Sequence, residues 1–165
     1  MRSALISILL FLATRVKDNG DTVSLAFRAI LEQEVFSWNS GDAPAYAKHF
    51  TQSGTFTNIG GMFFCGQKQF LDRHRELFQG IFANTVLQQE VVSFRLLRPE
   101  VAIVETLAYI SGLSKDRVPT GVHIDSHGRL YSRLLQVFEK ERSDWKIVVY
   151  HNVDLKSDTL CQYER

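Results

Sequence analysis

The sequence predicts an α+β fold, with helices first and a curved, mostly antiparallel sheet after them. Three observations predict it. Apolar residues recur at helical spacing in Phe27, Ile30, Leu31, Val35 and Trp38, and again in Phe70, Leu71, Leu77, Phe78 and Ile81. From Thr85 onward the chain turns to long β-branched and aromatic runs. Links of hairpin length join most of those runs, so the strands return on one another instead of crossing over.

Each element follows in order. Asp21 and Thr22 are N-cap candidates for the first helix, and Asn39-Ser40-Gly41-Asp42 ends it, with Gly41 suited to a left-handed terminal position. Asp42 caps a short second helix with Pro44 in its first turn and Tyr46, Ala47 and Phe50 on one side. Ser53 to Ile59 reads as a strand, Gly60-Gly61 as a turn and Met62 to Cys65 as a second short strand. A helix runs from about Lys68 to Phe78, and His74, four residues from both Phe70 and Phe78, lies on its apolar face. Thr85 to Leu97 and Val101 to Leu113 are strands separated at Pro99. A polar connector, 114–128, carries a tight turn at Asp125-Ser126-His127-Gly128. Leu130 to Lys140 and Trp145 to Val153 are the last two strands. A bent sheet covered by helices on its concave side encloses a pocket.

The organisation is a domain of 22–155, a leader of 1–21 and a polar tail of 156–165. Ala4 to Ala13 is apolar apart from Ser7 and follows Arg2, like the start of an export signal, but Phe11 spoils a cut after Ala13. The run is shorter than the ~20 residues a bilayer span needs, so stable membrane insertion is not expected. A docked extra helix and a non-native start remain open, and the expected compartment is the cytoplasm, with export as the alternative. The 165 residues carry 19 basic and 18 acidic side chains, which leaves no basic field for a nucleic acid. The only cysteines are Cys65 and Cys161, read as free thiols. Eleven of the twelve Phe fall within the domain, which points to a filled core or the wall of an apolar cavity.

Strand alternation assigns the candidate polar residues to faces. In the last strand Trp145, Ile147, Val149, His151 and Val153 form the more apolar set and are expected inward, opposite Lys146, Val148, Tyr150 and Asn152. Glu105 and Tyr109 share a face with Ile103 and Leu107, and Arg133 sits on a strand whose two faces are equally mixed. The chemical candidates are therefore Glu34, Asn58, His74, Glu105, Tyr109, Arg133, His151 and Asn152. His74 and His151 are the acid–base candidates, because an imidazole titrates near neutrality. Asn58, Tyr109, Arg133, Asn152 and Glu105 are the candidates for holding a ligand. Each also has a structural reading: a hydrogen-bonded core histidine, an Arg133–Glu105 ion pair, a packed tyrosine. No G-x-G-x-x-G follows a strand, no phosphate loop or G-x-S-x-G is present, and the histidines are scattered, so neither a nucleotide cofactor nor a metal is expected.

Five segments, taken together, resemble one known family. Trp38-Asn39-Ser40-Gly41-Asp42 and Lys48-His49-Phe50 followed by Ser53-Gly54-Thr55-Phe56 resemble the opening of the nuclear transport factor 2-like (SnoaL-like) superfamily. Gly66, Phe70, Arg73-His74 and Leu77-Phe78, then Arg98-Pro99-Glu100-Val101-Ala102-Ile103-Val104, then Trp145-Lys146-Ile147 through His151-Asn152 are similar to segments of its SgcJ/EcaC family. The resemblance covers about 22–155. It implies a cone-shaped fold with a deep pocket for a small organic molecule, and a homodimer formed through the sheet. It sets His74, Arg133, His151 and Asn152 at the family's motif positions. It also overlays Asn58 on the carboxylate base of the superfamily's isomerases, and Glu34 near their first-helix tyrosine. Asn cannot abstract a proton, so the familiar isomerase chemistry is not implied. The reading is a pocket domain that is either a cofactor-independent acid–base enzyme or a non-catalytic binding or dimerisation module.

Overall fold

The structure is a computed structural model that describes residues 19–155 except 115, 117, 119 and 120. Among these described residues three helices precede or interrupt six strands: α1 (Asn19–Ser40), α2 (Ala43–Tyr46), β1 (Phe50–Thr57), β2 (Phe63–Cys65), α3 (Gly66–Gln79), β3 (Val86–Arg98), β4 (Val101–Ser111), β5 (Leu130–Glu141) and β6 (Asp144–Asp154). The α+β class and the element order are those expected. The first helix is already formed at Asn19, so Asp21 and Thr22 lie inside it and not at its cap. The expected leader falls outside the described residues up to position 18, as do the tail from 156 and Cys161. Cys65 is a free, exposed thiol. No described helix is long and apolar enough to cross a membrane.

The α1–α2 corner shows how local chemistry sets the layout. Gly41 turns the chain at φ +69°, where a side chain would be strained. The Asp42 carboxylate then accepts from the Ala45 N–H and caps α2, with Pro44 in its first turn. This short helix delivers Tyr46 and Ala47 to the core, each 2% exposed.

The strands form one sheet in the order β2-β1-β6-β5-β4-β3. Every neighbour is antiparallel except β1 and β6, which run parallel. The inner face is legible from the register. Ala102 faces Phe138, Val104 faces Gln136, Thr106 faces Leu134, Ala108 faces Ser132 and Ile110 faces Leu130, and all ten are buried. At one end of these strands Phe27 of α1 contacts Phe94, Phe138 and Trp145, with ring centroids 4.8 to 5.0 Å apart. Aromatic rings pack that end, beside a broad groove between α1 and β3. The opposite end, where Ile110, Leu130 and Asn152 stand, opens into a separate cavity.

One irregularity decides which residues reach the inside. Val137 faces Val149, yet the next residue, Phe138, faces Ile147, so Val148 is an extra residue in β6. Such a bulge reverses the alternation beyond it. Trp145 and Ile147 point inward before it; Tyr150 and Asn152 point inward after it.

Candidate functional site

The open end holds a cavity of about 310 Å³, within the size range of small-molecule sites. Helix α3 supplies Arg73, His74 and Leu77, and α1 supplies Trp38. The β1–β2 turn supplies Asn58, Gly60 and Met62, while the sheet supplies Phe56, Ile110, Leu130, Tyr150 and Asn152. The wall is mainly apolar. The Phe-rich composition therefore lines a cavity here, through Phe56 and Phe82, and packs the core around Phe27 and Phe138.

His74 is the most constrained polar group in the cavity. It is 2% exposed, and its ring centroid lies 4.2 Å from Phe70, 4.7 Å from Tyr46, 5.3 Å from Phe56 and 5.9 Å from Phe78. Its Nδ1 is 2.7 Å from the Phe70 carbonyl oxygen. A carbonyl only accepts, so Nδ1 carries the proton and Nε2 is the basic atom. Nε2 has no protein partner among the described residues. Burial among aromatic rings pushes the imidazole pKa down to about 4; the Phe70 bond opposes this and the nearby Arg73 charge adds to it. His74 is therefore neutral at physiological pH, an acceptor and a weak base that lines the cavity.

Beside it stands a pair of phenols. The Tyr46 and Tyr150 hydroxyls are 2.7 Å apart and both residues are buried. Burial raises both far above the ordinary tyrosine value, so both keep their protons. One hydrogen bridges the pair. With Tyr46 donating, the Tyr150 hydrogen is free for the cavity that Tyr150 lines. Asn152 lines the same cavity, and its Oδ1 is buried with no partner among the described residues. Asn58 is fixed through Oδ1, which accepts from the Gly60 and Met62 N–H groups at 3.0 and 2.9 Å. Its amide nitrogen, a pure donor, has no partner among the described residues.

The structure thus brings His74, Asn58 and Asn152 into one cavity and leaves the other candidates out. His151 is exposed, opposite Leu135 and Thr57 on the outer face, because the Val148 bulge turned it outward. Tyr109 also stands on the outer face, its ring edge-on to Tyr131 at 5.2 Å. Arg133 and Glu105 pair with each other there at 3.9 Å, which is the structural reading of both. His151→Ala is accordingly expected to leave ligand binding in the cavity within a factor of two of wild type, measured by titration of Trp38 fluorescence. Glu34 is buried at 1% but does not line the cavity. It sits behind the tyrosine pair, with its Oε1 accepting from Gln136 Nε2 at 2.8 Å. Burial pushes its pKa up to about 8, against the lowering effect of Gln136 and Gln89.

Sequence reasoning missed Arg73, Tyr46 and Tyr150 as site residues. Tyr46 was already on the inner side of α2, and an aromatic with a polar tip at a buried position was the available signal. Tyr150 was hidden by the bulge. Among the described residues no cluster of His, Cys, Asp and Glu is arranged to hold a metal ion.

No curated protein matches the chain. Solved structures do. An uncharacterised protein with a cystatin-like fold from Caulobacter vibrioides is 20% identical, with 82% of this chain and 91% of that one covered and a TM-score of 0.69. An NTF-2-like protein of unknown function from Shewanella oneidensis is 18% identical, with 80% and 99% covered and a TM-score of 0.65. A putative scytalone dehydratase from Novosphingobium aromaticivorans is 10% identical, with 88% and 93% covered and a TM-score of 0.70. At these identities the likeness concerns the fold. The model of the SnoaL-like domain matches residues 28–152, most of the chain and all of its described strands up to Asn152, and the chain belongs to that family.

Proposed function

We propose that this SnoaL-like domain binds a small organic molecule in the cavity of α3 and the open sheet end, and performs cofactor-independent acid–base chemistry on it. The observation that carries the reading is His74: a neutral imidazole, sealed among aromatic rings, with Nδ1 committed to Phe70 and Nε2 left for a ligand. Tyr150 supplies a hydroxyl donor in the same space, backed by Tyr46. A base and a donor in a water-poor cavity suit proton transfer next to a carbonyl or hydroxyl, the donor stabilising the oxygen charge that develops. We place the domain with the SgcJ/EcaC type on the segments around Arg73-His74, Arg98 to Val104, and Trp145 to Asn152. We assign it a homodimer through the outer sheet face, where Ile103, Leu135, Val137, Val149 and Val153 stand, and a cytoplasmic location.

A second reading, non-catalytic ligand binding, is favoured by Asn58. The family resemblance overlays it on a carboxylate base, and its oxygen is already occupied by two backbone donors.

The test is to recover the small molecule that copurifies with the protein, identify it by mass spectrometry, and follow its conversion. His74→Gln is expected to lower turnover by about 10²-fold or more while the variant still binds the molecule. Wild-type activity is expected to stay flat through pH 6.5 and to fall only toward pH 4, since protonation of His74 is what removes the base. Equal turnover by wild type and His74→Gln would sink the catalytic reading and leave the binding one.

A further inference from the structure

The rim of the cavity differs from its floor. His74, Tyr150 and Trp38 are buried, whereas Asn58, Gly60, Met62 and Arg73 are half-buried or exposed. With His74 neutral, Arg73 is the only formal charge among the described lining residues. Its Nη1 reaches Glu76 at 3.0 Å, an ion pair on the surface side in which the Glu76 side chain is 68% exposed. Its Nε is different: it is buried and has no partner among the described residues. A guanidinium N–H withdrawn from water without an acceptor is costly, so an acceptor belongs there. The nearby Asn58 amide is presented in the same sense, because its oxygen is held by Gly60 and Met62 and only N–H donors remain to face the ligand.

We propose that the cavity takes a small apolar monocarboxylate, with the carboxylate at the rim on Arg73 and Asn58 and the apolar body against Trp38, Leu77, Ile81 and Phe82. One fixed positive charge in an apolar wall, shared on its outer side with the exposed Glu76, matches at most one further negative charge. A dianion such as a phosphate monoester would leave a charge uncompensated. The volume is about 310 Å³, roughly twice the ~150 Å³ void that holds a benzene molecule, so one ring with a short chain fits. The fork geometry of arginine suits a carboxylate in particular, and the low-dielectric surroundings strengthen the contact. This assignment rests on the small-molecule reading of the cavity and names the ligand class for it.

The experiment uses the full chain and a set of probes: benzoate, phenylacetate, 3-phenylpropanoate and 4-phenylbutanoate, each beside its neutral primary amide. Binding is read by fluorescence of Trp38, which lines the cavity, with Trp38→Phe as the control for signal from Trp145. At pH 7 the best acid is expected to bind at least tenfold tighter than its amide. Arg73→Gln is expected to abolish that preference by weakening the acid at least tenfold more than the amide, with circular dichroism and thermal unfolding showing that the variant is folded. Amides bound as tightly as acids, or an acid preference that survives Arg73→Gln, would overturn the carboxylate assignment alone. Failure of every acid and every amide to bind would overturn the small-molecule reading beneath it.

Discussion

Glu34→Gln is expected to stabilise the domain by roughly 5 kcal/mol at pH 9 and above and by almost nothing near pH 4. The carboxyl sits at 1% exposure between α1 and the sheet. The Gln136 amide donates to its Oε1 and the Gln89 amide lies near, yet Glu34 Oε2, Gln136 Oε1 and Gln89 Oε1 are buried with no partner among the described residues. Among the described residues no cation faces the group. The titratable residues near it are Tyr46 and Tyr150, whose own ionisation its charge opposes, with His74 beyond Tyr46. Burial therefore governs, and the pKa rises from 4.5 to about 8. A raised folded pKa means that the folded state holds its proton where the unfolded chain has lost it. The contribution of Glu34 to stability is then fully present below pH 4.5 and is lost as pH rises toward 8, each unit of the gap being worth about 1.4 kcal/mol. Gln mimics the neutral acid and has no proton to lose, so the two proteins diverge across that window. His74 titrates identically in both and cancels from the difference. Denaturant unfolding of both at half-unit pH steps from 4 to 9.5 measures it; a difference independent of pH would show that the carboxyl is not held neutral.

The sequence carried the class, the element order and most strand boundaries, because those follow from hydrophobic period, turn residues and caps. Asp42, Pro44 and Gly41 act within a few residues of where they are read, and so the α1–α2 corner was legible. His74 was legible for a related reason. Its place on a helix face depends only on the spacing to Phe70 and Phe78, and that face had to be buried. The strand candidates depended on long-range register instead. Glu105, Tyr109 and Arg133 lie on strands whose outer face still carries Ile103, Leu107 and Leu135, so apolar content did not separate inside from outside. In β6 alternation was sound up to Ile147 and inverted after it. Nothing in Ile147-Val148-Val149 announces a bulge: three aliphatic residues in a row suit either face. Arg73 was seen only as a motif neighbour of His74, since an exposed ion pair with Glu76 and a buried Nε cannot be told apart from spacing.

The bulge supplies the second prediction. Because Val148 is the extra residue, deleting it is expected to leave Trp145, Ile147, Tyr150 and Asn152 all inward in regular alternation and to preserve cooperative folding, and Val148→Ala is expected to cost less than about 1 kcal/mol, because that side chain is only half-buried. Pairing the intact strand without a bulge would instead leave it two choices. If Trp145 and Ile147 keep their inward positions, Tyr150 and Asn152 turn out and His151 turns in. The Tyr46–Tyr150 bond is lost, Tyr46 keeps a buried hydroxyl without its partner, and an imidazole takes the place of the phenol. If instead Tyr150 and Asn152 are kept, Trp145 at 6% exposure and Ile147 at 1% are driven into water, and the Phe27 cluster loses one of its three aromatic contacts. Expelling two such side chains costs on the order of 5 kcal/mol in burial alone, before the cavities they leave are counted. That is comparable to the whole stability of a domain of this size. The neighbouring strand offers no relief. In β1 the register to β6 also shifts, between Phe50 and Thr55, and Gly54 there lies against the Phe50 ring and the Ile147 carbonyl, with no room for even a Cβ. The two irregularities face each other across the β1–β6 pair, so one cannot slip without the other. Circular dichroism and thermal unfolding of the deletion beside Val148→Ala decide the matter. A deletion variant that fails to unfold cooperatively would mean that the irregularity itself, and not only the faces it sets, holds β6 against β1.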